Sequence, residues 1–418
     1  MLRYFLTFFI LLFSMNALAA REFRPISHSL GSMLGKTLEF TSFQANDDPD
    51  FETIQRTIDW KSSETDIPNF GFTSQHYWIK LKLLEDTASS RYFLDLNYAL
   101  LDFVEVFIVQ NGQLINAYRA GNSLPFWQRP VKHRSYVFPL NTTKLATYEI
   151  YFHVYGSKSV QIPLTLQTTQ GFLETDQLNT LGQGLYYGII AVMALYNLFL
   201  YISLKQKMFL YYVCMICAIG AFQLALNGVG YAYIWTSYTW WNQQCIAVFI
   251  PACNGFSSLF SYEFLNVRSL SSPIASIHRF VIKISLLLMC VAVIAPPEYT
   301  VPVSTVLAFC SSFVVIYLLS RFWSKERSVL YFGIAWAGLL VGSESIALNK
   351  LGILPFNFYT ENGLQIGSAF ESVLLSLALG ELIKKLQTEK NNAERAELLA
   401  REESVALAQK ELAARNET

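Results

Sequence analysis

The sequence predicts a multidomain membrane protein: an all-β domain of jelly-roll or sandwich type, then a seven-helix transmembrane bundle, then a C-terminal helix of coiled-coil character. Three observations predict it. Of the 31 basic and 31 acidic side chains in 418 residues, only 16 fall between Asn179 and Ile383, and that stretch divides into seven apolar runs of about the 20 residues a helix needs to cross a bilayer. Before it, from Arg21 to about Asp176, apolar and polar residues alternate in short β-rich runs. After it, Leu386, Ala393, Ala400, Leu407 and Ala414 recur every seven residues among charged side chains. Composition excludes other classes. With 53% hydrophobic and 15% charged residues and no net charge, the chain is not disordered, collagen-like or a nucleic-acid binder.

Residues 1–19 read as a secretory signal. Arg3 precedes an apolar run from Tyr4 to Phe13, and Ala17-Leu18-Ala19 supplies an A-x-A cleavage site. The run is too short to span a bilayer. An uncleaved anchor is the alternative, and either way residues 20–176 start outside the membrane.

In residues 20–176, strands are expected at Tyr77–Leu83, Tyr92–Leu96, Phe103–Val109, Tyr136–Leu140, Tyr148–Tyr155 and Ile162–Leu166, because period-two alternation marks a half-buried strand. Asn111-Gly112, Gly121-Asn122-Ser123 and Gly156-Ser157 supply turns between them. All six cysteines lie after residue 210, so this exported domain is expected to stand without disulfides. Trp78, centred in a strand, is assigned to the core.

The seven apolar runs fall at approximately 181–203, 208–228, 243–265, 278–296, 300–320, 328–348 and 362–383. Lys205 and Lys207, Arg268 and Arg279, then Arg321, Lys325 and Arg327 lie in the odd loops, and Lys384-Lys385 follows the last run. The even loops carry only Lys350 and are aromatic or proline-rich, as in Tyr231 to Trp235, Trp240-Trp241 and Pro296-Pro297. The positive-inside bias therefore puts the β domain outside and the C-terminus in the cytoplasm. Lipid is the implied surrounding of residues 179–383. Within them Cys214 and Cys217 are read as packing residues.

Residues 384–418 carry the heptad positions, but the seam is weak. Glu389, Glu403 and Lys410 stand three residues along from some of them. Two readings stay open, a helix that pairs with a second copy and a solvated single helix held by intrahelical ion pairs.

Several stretches together resemble a known family. In the β domain they are Gly71 through Tyr77 to Leu81, Leu101-Asp102-Phe103-Val104-Glu105-Val106-Phe107, Gly121-Asn122-Ser123-Leu124-Pro125-Phe126-Trp127-Gln128-Arg129, and Phe138-Pro139-Leu140. In the membrane part they are Tyr187 to Leu198, Tyr211-Tyr212 and Gln365 to Ser372. The chain resembles the bacterial seven-transmembrane receptors with diverse intracellular signalling modules that carry the type 2 extracellular domain. The resemblance implies an inner-membrane receptor whose periplasmic domain senses a carbohydrate or other small molecule. It also implies a cytoplasmic output such as a histidine kinase or diguanylate cyclase, fused beyond Thr418 or supplied in trans, and a homodimer through the cytoplasmic helix. Asn122 stands where relatives usually have Asp.

No catalytic constellation is present: the sequence has no H-E-x-x-H, G-x-S-x-G, P-loop or dinucleotide fingerprint, so neither enzyme activity nor a cofactor is expected. His28, His76, His133 and His153 lack metal-ligand spacing and are read as ordinary side chains. Asp47, Asp48, Asp50 and Glu52 could hold calcium, but Pro49 and the missing loop glycine favour a solvated loop. The resemblance to carbohydrate-binding jelly rolls makes Asn122, Phe126, Trp127 and Arg129 the candidate ligand site, with structural packing of Trp127 and Arg129 as the alternative. Inside the bilayer Glu344 and Glu371 are costly unless they face the bundle interior. With Asn197 and Asn254 as candidate partners, they form the candidate intramembrane switch. Competing readings are a transporter or membrane enzyme, and a structural scaffold that docks an envelope protein.

Overall fold

The computed structural model describes residues 38–416 apart from residues 57–58, 64, 66, 86–90, 144–145, 270–272 and 323–326. The expected signal segment, residues 1–19, lies outside the described residues. An N-terminal β domain comes first and helices follow.

The strands of the β domain are β1 (Glu39–Phe43), β2 (Lys61–Ser62), β3 (Asn69–Phe72), β4 (His76–Glu85), β5 (Arg91–Leu96), β6 (Phe103–Gln110), β7 (Gln113–Ala120), β8 (Tyr136–Asn141), β9 (Ala146–Tyr155), β10 (Ser159–Gln161) and β11 (Leu164–Thr168). One sheet has the order β2-β1-β4-β9-β6-β7, a second β11-β5-β8, and β10 pairs with β3. All the described pairings are antiparallel. Alternation decides which face is which. Ile79, Leu81, Val104, Val106, Ile150, Phe152 and Val154 point one way and form a buried core with Leu94, Leu96, Phe138 and Leu140 of the smaller sheet. On the opposite face Trp78 and Tyr151 are covered by helix α1 (Phe51–Gln55), whose Ile54 is buried and whose Phe51 stacks on Phe107 with centroids 4.2 Å apart. Trp78 is thus a core residue, beneath α1 rather than between the sheets.

Every strand expected from alternation is present. Strand β7 was not expected, because it is an edge strand whose side chains are mostly exposed, so its sequence carries no apolar face. The Asn111-Gly112 pair makes the β6–β7 hairpin with φ of 48° and 82°, as a primed turn requires.

Strand β11 runs straight into helix α2 (Thr169–Leu204), whose first turn is capped by the Thr168 hydroxyl accepting from the Gly171 amide at 3.2 Å. The change of domain expected near residues 176–179 therefore falls inside a helix. Next come α3 (Lys207–Leu226), the short α4 (Val229–Tyr233), α5 (Thr239–Phe264), α6 (Pro273–Val291), α7 (Pro297–Phe322), α8 (Arg327–Lys350) and α9 (Phe358–Asn416). All but α4 have the length and apolarity to cross a membrane, which makes seven candidate spans. Glycines set the α8–α9 approach: Gly338 meets Gly367 and Gly342 meets Gly363, backbone against backbone. Small residues permit such close crossings.

Candidate functional site

Among the described residues the β domain meets the bundle through three polar contacts. The first follows β7. Gly121, at φ 144°, lies so close to the Asp102 backbone that a side chain would collide with it. This brings Asn122 inward, where its Nδ2 donates to the Ala99 carbonyl at 2.8 Å and its Oδ1 accepts from Tyr136 at 3.2 Å and from Asn242 of α5 at 2.8 Å. Beside it Gln243 donates to Ser123 at 2.8 Å and the Tyr231 hydroxyl to the Leu124 carbonyl at 2.7 Å. Arg129 is buried, donates from Nη1 to the carbonyls of His133 and Arg134 at 2.8 and 3.1 Å, and places Cζ 4.8, 4.4 and 5.6 Å from the ring centroids of Phe126, Tyr136 and Tyr231. Burial pulls the Arg129 guanidinium below its usual value, against the opposing effect of the two tyrosines. Carbonyl dipoles and ring faces replace the water that the charge has lost.

The four residues expected to form a ligand site are therefore divided. Asn122, Phe126 and Arg129 are buried where the domain seats on α4 and α5, whereas Trp127 is 68% exposed.

The second contact is at the turn between α8 and α9. Asn69 and Gln161 donate to the Asn349 carbonyl at 2.8 and 3.0 Å. Lys350 donates to Gln161 Oε1 at 3.1 Å and pairs with Glu361 at 2.9 Å, with its Nζ 4.6 Å from the Tyr98 ring centroid. Gly71, at φ 63°, packs against the Leu351 carbonyl. A third link joins His133 Nε2 to Asp176 of α2 at 2.8 Å. From there the chain of bonds continues through Ser135 to Asp95, whose carboxyl burial pushes above the usual carboxylate range.

A cavity of about 180 Å³ is lined from both the β domain and the bundle, and its polar lining includes Lys158, Lys350, Asn254 and Glu344. Glu344 accepts from Ser312 at 2.6 Å, while Asn254 donates to Ser285 at 2.8 Å and accepts from Ser311 at 2.6 Å. Glu371 is fully buried but does not line this cavity, and its Oε1 has no hydrogen-bond partner among the described residues. Asn197 donates to the Met193 carbonyl of its own helix at 2.9 Å. Helices α2 and α9 run in register through Gln183–Gln365, Tyr186–Ser368 and Met193–Ser376, which sets Asn197 about two turns deeper than Glu371. The expected cluster of four is thus one pair at a cavity, Glu344 with Asn254, and two separate residues.

The sequence reading treated the histidines as scattered, yet two of them converge. Register Trp78↔His153 and Glu105↔His153 puts His76, Trp78, His153 and Glu105 on one face of the large sheet. The acidic run divides beside them. Asp50 caps α1 by accepting from the Thr53 amide at 3.0 Å, and Asp48 turns to the imidazoles, 2.9 Å from His76 and 2.8 Å from His153. The parity of His76 and Trp78 was visible in the sequence, but the pairing of β4 with β9 was not. Burial lowers the His76 imidazole from its usual value, Asp48 acting against it.

A β domain hydrogen-bonded to a seven-helix bundle defines a multi-pass membrane protein with an N-terminal extracellular domain and a sensor-like arrangement. Residues 179–381 match the family described as 7TM diverse intracellular signalling, and residues 43–168 match 7TMR-DISM extracellular 2. The chain belongs to the seven-transmembrane receptors with diverse intracellular signalling modules, in their form with the type 2 extracellular domain. The matched domains are receptor domains, not known catalytic ones. No curated protein matches the chain.

Proposed function

We propose that the chain is a signal-transduction receptor of a bacterial inner membrane, whose β domain takes a periplasmic carbohydrate or other small molecule and whose bundle passes the event to a cytoplasmic output module. The observation that carries this reading is the Lys350–Glu361–Gln161 contact. It ties the β domain to the turn from which α9 descends through the membrane, so a changed fit of the domain acts directly on that helix. Binding shifts the equilibrium only by the difference in affinity between the two packings. The exposed ring of Trp127 suits stacking on a sugar. Residues 384–418 reach the cytoplasm in this reading and pair two copies, and a histidine kinase or diguanylate cyclase, in cis or in trans, supplies the output.

The test uses the full chain in lipid nanodiscs. Sugars and small metabolites are screened for a raised unfolding midpoint, and each hit is followed by distance measurements between spin labels on Cys replacing Glu402 in a paired sample. A bound compound that changes the label distance supports a receptor. Binding that leaves the distance unchanged, with accumulation of the compound in proteoliposomes, overturns it in favour of a transporter.

A further inference from the structure

Asp48 Oδ2, His76 Nδ1 and His153 Nε2 stand at the corners of a nearly equilateral triangle with sides of 2.9, 2.8 and 3.2 Å. With both rings neutral, protons alone serve this triangle poorly. His153 Nδ1 faces Glu105 at 3.4 Å, so a neutral ring donates there and turns the lone pair of Nε2 toward Asp48. A carboxylate only accepts, and the two ring nitrogens also face each other. A cation at the centre receives all three lone pairs. Ligand atoms about 2.0–2.1 Å from a tetrahedral zinc are about 3.3 Å apart, close to the spacing found.

The surroundings have the form of a supported metal site. Glu105 orients His153 and is itself paired with Arg119 of the neighbouring strand, as carboxylates behind ligating imidazoles do. Trp78 Nε1 donates to Asp48 Oδ1 at 3.1 Å, which leaves Oδ2 for the triangle. The His153 ring stacks on Trp78 with centroids 4.4 Å apart, and His76 on Tyr155 at 4.6 Å. The donors also discriminate: two imidazoles and one carboxylate suit zinc and neighbouring first-row ions, whereas calcium and magnesium take all-oxygen shells. One side is open, since His76 and His153 border a surface cleft shared with Gln44, Ser74, Phe103 and Tyr155. Three protein ligands with an open fourth position leave room for water or a ligand atom.

We infer that Asp48, His76 and His153 bind a divalent transition-metal ion, zinc(II) foremost, with Glu105 as a positioning residue and one coordination position facing the cleft. The assignment stands independently of the receptor reading.

The test takes the untagged full chain in detergent, strips it with a chelator, adds zinc chloride, and measures bound metal by mass spectrometry together with the unfolding midpoint. One zinc per chain is expected, with a midpoint raised by zinc and not by magnesium or calcium. Because His153→Ala also removes a ring stacked on Trp78, Asp48→Asn and His76→Gln carry the test, each expected to weaken zinc binding at least tenfold while folding without metal as the parent does. Glu105→Gln is expected to weaken it about 10- to 100-fold, and cobalt(II) bound to the parent should show tetrahedral visible absorption that both ligand variants lose. A folded parent with no saturable zinc, or equal binding by Asp48→Asn and His76→Gln, overturns the assignment. The second result would move the metal elsewhere, to Cys214 and Cys217 for example.

Discussion

Lys350 and Glu361 stand on either side of the turn between α8 and α9 and pair at 2.9 Å, with the same ammonium lying over the ring of Tyr98 in the β domain. One charge therefore closes a helical hairpin and holds a second domain against it. Removing it leaves the Glu361 carboxylate and Gln161 Oε1 facing each other without a donor between them. Lys350→Met is expected to cost about 2 kcal/mol, less than the 3–5 of a fully buried pair because Glu361 keeps some access to water. Glu361→Gln should cost less, and the double variant should fall short of the sum. Thermal unfolding of the full chain in detergent checks this, and additive losses would contradict it.

Arg129 answers to a different geometry. Its planar head serves two carbonyls while lying near three aromatic rings, and a lysine ammonium cannot reproduce both. Arg129→Lys is expected to destabilise the chain by about 2 kcal/mol and Arg129→Ala by more. The neighbouring Trp127→Ala should stay within about 0.5 kcal/mol of the parent. Urea unfolding followed by circular dichroism ranks the three, and a Trp127 loss as large as that of Arg129 would show that its ring is packed in solution.

The glycine crossing makes an asymmetric prediction. A methyl on Gly342 would press into the backbone of Gly363, whereas one on Gly363 would find ordinary contacts at 3.5 and 3.6 Å. Gly342→Ala is expected to cost about 1–3 kcal/mol through overpacking. Gly363→Ala should be neutral or mildly stabilising, because alanine is the better helix former. Equal effects on the unfolding midpoint would mean that the helices cross elsewhere.

Asp95 supplies a pH dependence. Its folded carboxyl titrates above the usual value because it is buried, with Ser135 acting against that effect. A raised folded value means that the folded state holds this proton more firmly than the unfolded chain. The contribution is fully present below the unfolded value near 4 and is lost as the pH rises through the folded value. Asp95→Asn should therefore gain stability relative to the parent as the pH is raised from about 4 to 7. Unfolding midpoints across that interval decide it, and a constant difference would remove Asp95 from the account.

Much of the architecture was legible because membrane and sheet burial both impose a period. All seven spans and the strands from Tyr77, Tyr92, Phe103, Tyr136, Tyr148 and Ile162 follow from where apolar residues recur. The exposed edge strand at Gln113–Ala120 was not, for want of an apolar face. Single-residue roles were less legible. Asn122 and Arg129 sit in a turn-rich segment, and turns serve ligand sites and domain seats alike; only the positions of Asn242 and Tyr231, more than 100 residues away, decide between them. The convergence of His76 and His153 was hidden for the same reason. Their meeting depends on a strand register 77 residues apart in sequence, and local spacing cannot reveal it.

Helix α9 runs from Phe358 to Asn416 without interruption, 59 residues, or about 88 Å of rod. A rod of that length turns a small movement at its head into a new facing at its tail. One residue of rotation re-aims every side chain below by about 100°, which puts Glu394 and Arg401 where Ala393 and Ala400 had faced. The angle at which the Lys350–Glu361 turn is held thereby sets which side chains the far end of the rod presents in a given direction.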